Sequence, residues 1–306
     1  MIIGLFPGQG SQTPGFLAPW LDLDGARERL EQFSDAAGVD LVAAGTVWDA
    51  DAIRDTKVAQ PLIVAASLLS FAALAERQSV AFGGFAGHSV GEIAALAAAG
   101  VLPSDAAMRL VALRGRAMAD AAAAAPTGMS AVLGGDEEAV LARLAELDLT
   151  PANHNGGGQI VAAGALDRLA ELAADPLRGT RVVPLQVAGA FHTRFMEPAV
   201  GTLREAAATI EAHDPETRLW TNHDGSIVED GRRALDLLVG QVASPVRWDL
   251  CMASFADHGA TGLVEFAPGG TLTGLAKRGL RGVPAVAIKT PDDLEQAASL
   301  LTEETA

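Results

Sequence analysis

Residues 87–91 read Gly-His-Ser-Val-Gly and join an apolar segment at 80–86 to a second apolar segment at 92–99. The first segment has the length of a buried strand, and the second has the composition of a helix. Glycines on both sides of Ser89 permit a sharp turn that holds its hydroxyl at the strand end, beside the first amides of the helix. The pattern predicts a nucleophilic serine, and a serine that caps a helix in a glycine-rich turn is the alternative interpretation.

Around this turn, apolar segments of strand length alternate with longer helical patterns along the chain. Alternation of this kind favours an α/β class with a largely parallel sheet covered by helices. The predicted strands are residues 2–6, 80–86, 129–133, 160–163, 181–187, 219–221, 263–266 and 285–288. Residues 129–187 predict a compact β-α-β-α-β unit, with a helix at 137–146 and a turn at 156–158, which we interpret as an inserted small subdomain.

The composition excludes several classes of protein. The chain has 306 residues, 49% of them hydrophobic, and a formal charge of −16, so it is globular and disfavours nucleic acid as a partner. Cys251 is the only cysteine, which fits a reducing compartment, and we expect the cytoplasm. The apolar run at 61–75 is shorter than a spanning helix requires, so we expect no membrane segment and no signal peptide.

A serine nucleophile needs a general base, and the chain contains six histidines. His88 adjoins Ser89 and should point away from it, whereas His192 follows Gly-Ala-Phe at a predicted strand end. A buried structural histidine is the alternative for His192, and spacing alone does not choose the base. The remaining candidates are His154, His213, His223 and His258.

Several further segments, in order along the chain, resemble motifs of the acyltransferases that load malonyl groups onto acyl carrier protein in fatty-acid and polyketide synthesis. Residues 87–92 match the nucleophile motif of that family. The other matches are Phe-Pro-Gly-Gln-Gly-Ser-Gln at 6–12, Gln60-Pro61, Arg114, Asn-His-Asn at 153–155 with Gln159 and Gly164, Gly-Ala-Phe-His-Thr at 189–193, and Ala-Pro-Gly at 267–269 leading to Lys277-Arg278. The resemblance covers nearly the whole chain.

The resemblance implies a fold and a reaction. A large α/β-hydrolase-like subdomain with a parallel sheet would comprise residues 1–126 and 192–306, and a ferredoxin-like small subdomain would comprise residues 127–191. The expected enzyme moves a malonyl group from malonyl-CoA to the phosphopantetheine thiol of acyl carrier protein by a ping-pong mechanism. Malonyl-CoA and the phosphopantetheinyl carrier protein are both substrates, no cofactor or metal is implied, and we expect a monomer.

The resemblance also assigns roles to residues. Ser89 would attack the thioester, His192 would accept its proton, and the backbone amides of Gln9 and Val90 would stabilise the oxyanion. The remaining assignments are a backbone carbonyl of Gln241 that orients His192, Arg114 as the ligand of the malonyl carboxylate, Phe191 as the residue that disfavours a methyl branch, and Gln60 and Asn155 as lining of the pocket.

An acidic carrier protein would need a basic patch on this acidic chain, because like charges across an interface reduce affinity. The candidates are Arg181, Arg194, Lys277, Arg278 and Arg281.

Two other functions compete with the acyltransferase. A serine hydrolase or thioesterase shares Gly-x-Ser-x-Gly, but its acid and histidine come late in the chain, and more than a third of this chain follows His192. A noncatalytic scaffold protein with this fold is the other alternative, and the intact set of Ser89, His192, Arg114 and Gln9 argues against it.

Overall fold

The computed structural model describes residues 1–77 and 81–303. The sequence also predicts an acidic amphipathic helix at 292–304. Residue 80 of the predicted strand at 80–86 and residue 304 of this helix lie outside the described part. The strands are β1 Ile2–Phe6, β2 Gly84–Gly87, β3 Thr127–Gly134, β4 Thr150–Gly156, β5 Gln159–Ala165, β6 Thr180–Pro184, β7 Arg218–Leu219, β8 Val246–Arg247, β9 Gly262–Glu265 and β10 Ala285–Ala287.

Helices cover both sheets and connect most of the strands. They are α1 Ala26–Ala37, α2 Leu41–Thr46, α3 Thr56–Arg77, α4 Gly91–Ala98, α5 Ser104–Ala122, α6 Glu137–Glu146, α7 Leu166–Ala174, α8 Glu197–Ala208, α9 Gly231–Gln241, α10 Trp248–Asp257, α11 Thr271–Gly279 and α12 Asp293–Glu303.

The first sheet has the order β10-β9-β1-β2-β7, and each neighbouring pair is parallel. Strands buried on both faces are typical of such a sheet, and β1 is buried along its whole length. Phe6 pairs with Gly87, so β1 and β2 end side by side. The loops that follow these two strands, which carry Gln9 and Ser89, therefore leave the same edge of the sheet.

The second sheet has the order β6-β3-β5-β4-β8. Its first four strands pair antiparallel and, with α6 and α7, form the split β-α-β arrangement of a ferredoxin-like fold. The predicted α/β class, with a parallel sheet and a ferredoxin-like insert, is confirmed. The boundaries at 126–127 and 191–192 stay a prediction.

The predicted β-α-β-α-β order of the insert is incomplete, because β4 precedes β5 and was not among the predicted strands. Its residues include Pro151, Asn153 and Asn155, which are disfavoured in strands, and its pairing with β5 is interrupted by register shifts. A second unpredicted strand, β8, has two residues and pairs in parallel with β4 at Asn153 and His154. The second sheet thus contains a strand from outside the insert.

Helix α3 is 22 residues long, and by length and composition it could cross a membrane. The apolar run at 61–75 is the middle of this helix, so the run underestimates the length of the helical segment. Most of its apolar window is buried inside the protein, and the helix packs mainly against α5. Its composition reflects a core position.

The turn from β2 into α4 passes directly beneath the end of β1. A Cβ atom on Gly91 would lie 2.1 Å from the carbonyl oxygen of Phe6, and one on Gly87 would lie 2.0 Å from the carbonyl carbon of Gly91. Both contacts are with backbone, which cannot turn aside as a side chain can. Close packing of β1 on this turn therefore requires glycine at position 91, and the tightness of the turn itself requires glycine at position 87.

We expect Gly91→Ala to lower the free energy of unfolding by about 3 kcal/mol, because an added methyl group must displace β1. Gly201→Ala in α8 is the matched control, since a Cβ atom there meets nothing within 4 Å. Higher helix propensity should make the control more stable by up to about 1 kcal/mol. Urea denaturation of both variants tests the prediction, and equal stabilities would contradict it.

Candidate active site

Ser89 stands at the turn between β2 and α4 in a left-handed backbone conformation, with φ 53°. Residues other than glycine rarely adopt this backbone conformation, and such strain is typical of functional sites. The turn directs Ser89 Oγ to His192 Nε2, at a distance of 2.7 Å. His192 also has a positive φ, 61°. Both ends of this hydrogen bond are therefore held in conformations that the fold must maintain.

The imidazole of His192 is oriented by a backbone carbonyl. Its Nδ1 lies 2.8 Å from the carbonyl oxygen of Gln241, so Nδ1–H donates and Nε2 is left as an acceptor for the proton of Ser89. Burial and the charge of Arg114 lower the pKa of His192 to about 3, although the Gln241 carbonyl opposes the shift. At neutral pH the ring is uncharged and able to act as a base.

The other histidines do not contact Ser89 among the described hydrogen bonds. His88 points away from it, as predicted, and its Nε2 lies 2.9 Å from Asn155 Oδ1 on β4. Asn155 in turn donates to Gln159 Oε1 at 2.9 Å. Burial lowers the pKa of His88, so the ring is neutral at pH 7. His88 therefore ties the serine turn of the large subdomain to the second sheet.

Arg114 reaches the site from α5 and is 1% exposed. Its Nη1 donates to Gln60 Oε1 at 2.8 Å, and its Nη2 lies 2.9 Å from Gln241 Oε1 and 3.4 Å from Ser89 Oγ. Its Nε is buried and has no hydrogen-bond partner in the described part of the chain. A guanidinium beside the nucleophile, with a free donor, is able to bind an anionic group.

A buried network behind Ser89 includes Glu92, Asn222 and Gln241. The Glu92 carboxylate accepts hydrogen bonds from the backbone amide of Asn222 and from Gln241 Nε2. Asn222 Oδ1 accepts from the Ser89 amide at 2.7 Å, and its Nδ2 donates to the Gly87 carbonyl at 2.8 Å. Asn222 thus spans the serine turn, and the network fixes the turn from its inner side.

The backbone amides of Gln9 and Val90 were predicted to stabilise an oxyanion. Val90 caps the N-terminus of α4, and Gln9 follows β1 in the loop beside it. Neither amide donates a hydrogen bond to any residue that the structure describes. Both remain available to a ligand, and the helix dipole of α4 favours negative charge at this place.

An open cleft of about 200 Å³ lies in front of Ser89 and His192, between the two sheets. Gln9, Phe191 and Asn155 line it, as does an apolar wall from the second sheet and the segment that follows it. This wall comprises Met129, Ala131, Val161, Leu185 and Val187. Gln60 and Arg114 lie behind the cleft, and Gln60 contacts Arg114 and Met118 Sδ. The structure thus brings together all nine predicted site residues, and Gln60 joins the others through its contact with Arg114.

Two residues of the site were not among the predicted ones. Glu92 belongs to the quoted nucleophile motif, and the signal was a single charged residue in the otherwise apolar helix Gly-Glu-Ile-Ala-Ala-Leu-Ala-Ala. Asn222 lies in a polar segment after β7, where the sequence offers no comparable signal. Among residues 1–77 and 81–303, the structure places no cluster of three His, Cys, Asp or Glu side chains that could hold a metal.

Comparisons with known proteins identify relatives that match nearly the whole chain. The family model described as the acyl transferase domain matches residues 4–300. A malonyl CoA-acyl carrier protein transacylase from Mycobacterium tuberculosis is 55% identical over 302 residues, which cover 98% of this chain and 100% of the relative.

The fold of the chain also matches that of solved structures along nearly its whole length. The crystal structure of MCAT from Mycobacterium tuberculosis superposes with a TM-score of 0.94 at 55% identity, covering 97% of this chain and 99% of the other. PlMCAT:AntF, a holo type II PKS acyl-carrier protein in complex with its malonyl-transacylase, matches with a TM-score of 0.93 at 31% identity, covering 98% and 99% of the two chains.

Proposed function

The chain belongs to the acyl transferase domain family, and on that premise we propose that it transfers a malonyl group from malonyl-CoA to the phosphopantetheine thiol of acyl carrier protein. The observation that carries this proposal is a buried guanidinium 3.4 Å from a serine hydroxyl that is itself 2.7 Å from a neutral histidine. A nucleophile beside a fixed cation suits an acyl group that carries its own carboxylate.

In the first half-reaction, Ser89 Oγ attacks the thioester carbon and His192 Nε2 accepts the serine proton. The oxyanion of the tetrahedral intermediate accepts hydrogen bonds from the amides of Gln9 and Val90. Collapse of the intermediate breaks the C–S bond, and His192 returns the proton to the departing coenzyme A thiolate. The product is malonyl-Ser89, and a neutral His192 in the free enzyme is the form that this step requires.

The carboxylate of malonyl lies two bonds from the thioester carbon, and Arg114 is close enough to receive it. Nη2 and the unpartnered Nε form one side of the guanidinium fork, which matches the two oxygens of a carboxylate. Acetyl groups lack this contact. Phe191 lines the cleft and is 6% exposed, and we propose that its ring disfavours a methyl branch by about 1–3 kcal/mol.

In the second half-reaction, the phosphopantetheine thiol of the carrier attacks malonyl-Ser89, with His192 accepting the thiol proton and returning it to Ser89 Oγ. The apolar wall of the cleft suits the aliphatic part of the pantetheine arm. Neither half-reaction involves oxidation or reduction, and no cofactor enters it.

We place this enzyme in the cytoplasm, and the monomeric state stays a prediction.

The carrier would dock on basic residues near the cleft. Lys277 and Arg278 lie in the last turn of α11, whose residues Thr271 and Leu275 line the cleft. Arg281 follows this helix, and all three basic side chains are exposed. Arg194 is a weaker candidate, because it forms an ion pair with Asp148 at 2.7 Å. Arg181 lies on β6 at the far edge of the second sheet. We therefore favour the end of α11.

The experiment that tests the function is intact-protein mass spectrometry with malonyl-CoA. We expect a malonyl adduct that is absent from Ser89→Ala and that leaves only when holo acyl carrier protein is added. Loss of the adduct to free malonate without the carrier would identify a hydrolase. Absence of any adduct on the wild-type protein would favour the noncatalytic scaffold.

Arg114→Lys tests carboxylate recognition. Lysine keeps the charge but loses the planar fork, so kcat/KM for malonyl-CoA should fall by about 100-fold. Transfer of acetyl from acetyl-CoA should fall much less, because acetyl has no carboxylate. Steady-state rates with both thioesters measure the difference. Equal losses would show that Arg114 supports the site without recognising the substrate.

Charge reversal tests the docking surface. Arg278→Glu with Arg281→Glu should lower kcat/KM for the carrier protein by about tenfold or more and leave the acylation of Ser89 by malonyl-CoA unchanged. Arg116→Glu with Arg204→Glu is the matched control, because both side chains are exposed on α5 and α8, outside the cleft lining, and the net charge changes equally. An unchanged rate of transfer to the carrier in the first variant would exclude this surface.

A further inference from the structure

We infer that Glu92 is a positioning residue for malonyl recognition, because it acts through the side-chain amide of Gln241 to hold Arg114 in the orientation that accepts the substrate carboxylate. The inference rests on the proposed function of this site. Glu92 has no direct hydrogen bond to Arg114 among the described contacts, so its influence must pass through the intervening amide.

The side-chain amide of Gln241 has a donor end, the Nε2 amino group, and an acceptor end, the oxygen Oε1. Glu92 determines which of the two ends meets Arg114. Gln241 Nε2 is directed at the Glu92 carboxylate, and it lies 3.2 Å from both Asn222 Oδ1 and the Ser89 carbonyl. All three partners are acceptors, and an ionised carboxylate is the strongest of them. The amide oxygen is thereby left facing outward.

That oxygen accepts a hydrogen bond from Arg114 Nη2 at 2.9 Å. A guanidinium has donors only, so it requires an acceptor at this position. If the amide of Gln241 turned over, its NH₂ group would meet the guanidinium, and two donors would be buried against each other. Arg114 would then have to move, and the fork beside Ser89 would lose its position.

Burial and charge support the same link. Glu92 is 5% exposed and Arg114 is 1% exposed, so water cannot replace a lost partner of either side chain. Burial raises the pKa of Glu92, but the N–H donors of Asn222 and Gln241 on its two oxygens and the charge of Arg114 oppose this rise and favour the carboxylate. Burial lowers the pKa of Arg114 to about 10, and the charge of Glu92 opposes that fall. The two groups therefore stabilise each other's charged forms across the amide of Gln241.

Glu92 also accepts from the Asn222 amide, which supports the serine turn. A purely structural role would affect every acyl donor equally, whereas a positioning role on Arg114 would affect malonyl selectively. The ratio of malonyl to acetyl transfer therefore separates the two roles.

The test is Glu92→Gln, which keeps the size of the side chain but places an amide opposite the amide of Gln241. We expect kcat/KM for malonyl-CoA to fall by about tenfold, mainly through KM, because the buried donors near Arg114 are no longer matched. Acetyl transfer should fall by less, because acetyl makes no contact with Arg114, so that selectivity for malonyl falls. Equal losses for both thioesters, or no loss for either, would overturn the inference.

Gln241→Met provides a second route if Glu92→Gln does not fold. It removes the intervening amide and keeps the backbone carbonyl that bonds His192. Malonyl transfer should again fall by more than acetyl transfer, and an unchanged ratio of the two rates would contradict the inference.

Glu265→Gln is the matched control. Glu265 is fully buried, and its carboxylate accepts from the backbone amides of Gly270, Leu272 and Thr273 at the start of α11. This variant should lower the melting temperature and retain the malonyl-to-acetyl ratio of the wild type; a selective loss of malonyl transfer here would also overturn the inference. Wild-type protein that forms no malonyl adduct would refute the proposed function itself. An adduct on the wild type with an unchanged ratio in Glu92→Gln would refute only the role of Glu92.

Discussion

The rest of the site depends on one constraint, which is a positive charge kept out of water beside the nucleophile. An unpaired guanidinium in a protein interior costs several kcal/mol, so its surroundings must supply acceptors and countercharge. Gln60 and Gln241 provide neutral acceptors on two sides of Arg114, and Glu92 provides negative charge one residue further away. No carboxylate of the described chain bonds Arg114 directly, which leaves part of its fork unoccupied.

The same charge shapes the chemistry of His192. Serine enzymes commonly orient the histidine with a carboxylate, which also stabilises the charged imidazolium. Here a neutral carbonyl orients the ring, and a nearby cation disfavours its protonation. The base is therefore neutral at physiological pH, and the imidazolium formed during the reaction is more acidic than one that is paired with a carboxylate. Such a ring readily gives its proton to a departing thiolate.

Local patterns predicted much of this architecture. Residues 87–91, with apolar segments on both sides, were sufficient to place Ser89 between a strand and a helix, because glycine spacing and hydrophobic length are local properties. β4 was missed because its stability comes from pairing with β5 and β8, while its own residues disfavour strands. The contact of His192 with the Gln241 carbonyl joins residues 49 positions apart, and the resemblance to a family, rather than any local pattern, pointed to it.

The pairing of β8 with β4 means that the two subdomains are not separate modules. Val246 and Arg247 lie outside the predicted bounds of the insert and extend its sheet, next to the hydrogen bond between His88 and Asn155. A rotation of one subdomain against the other would have to break the backbone hydrogen bonds of this strand pair. For the construction of chimaeras between acyltransferases, the transferable unit is therefore discontinuous. A donor insert would need its own version of residues 246–247 to complete its sheet.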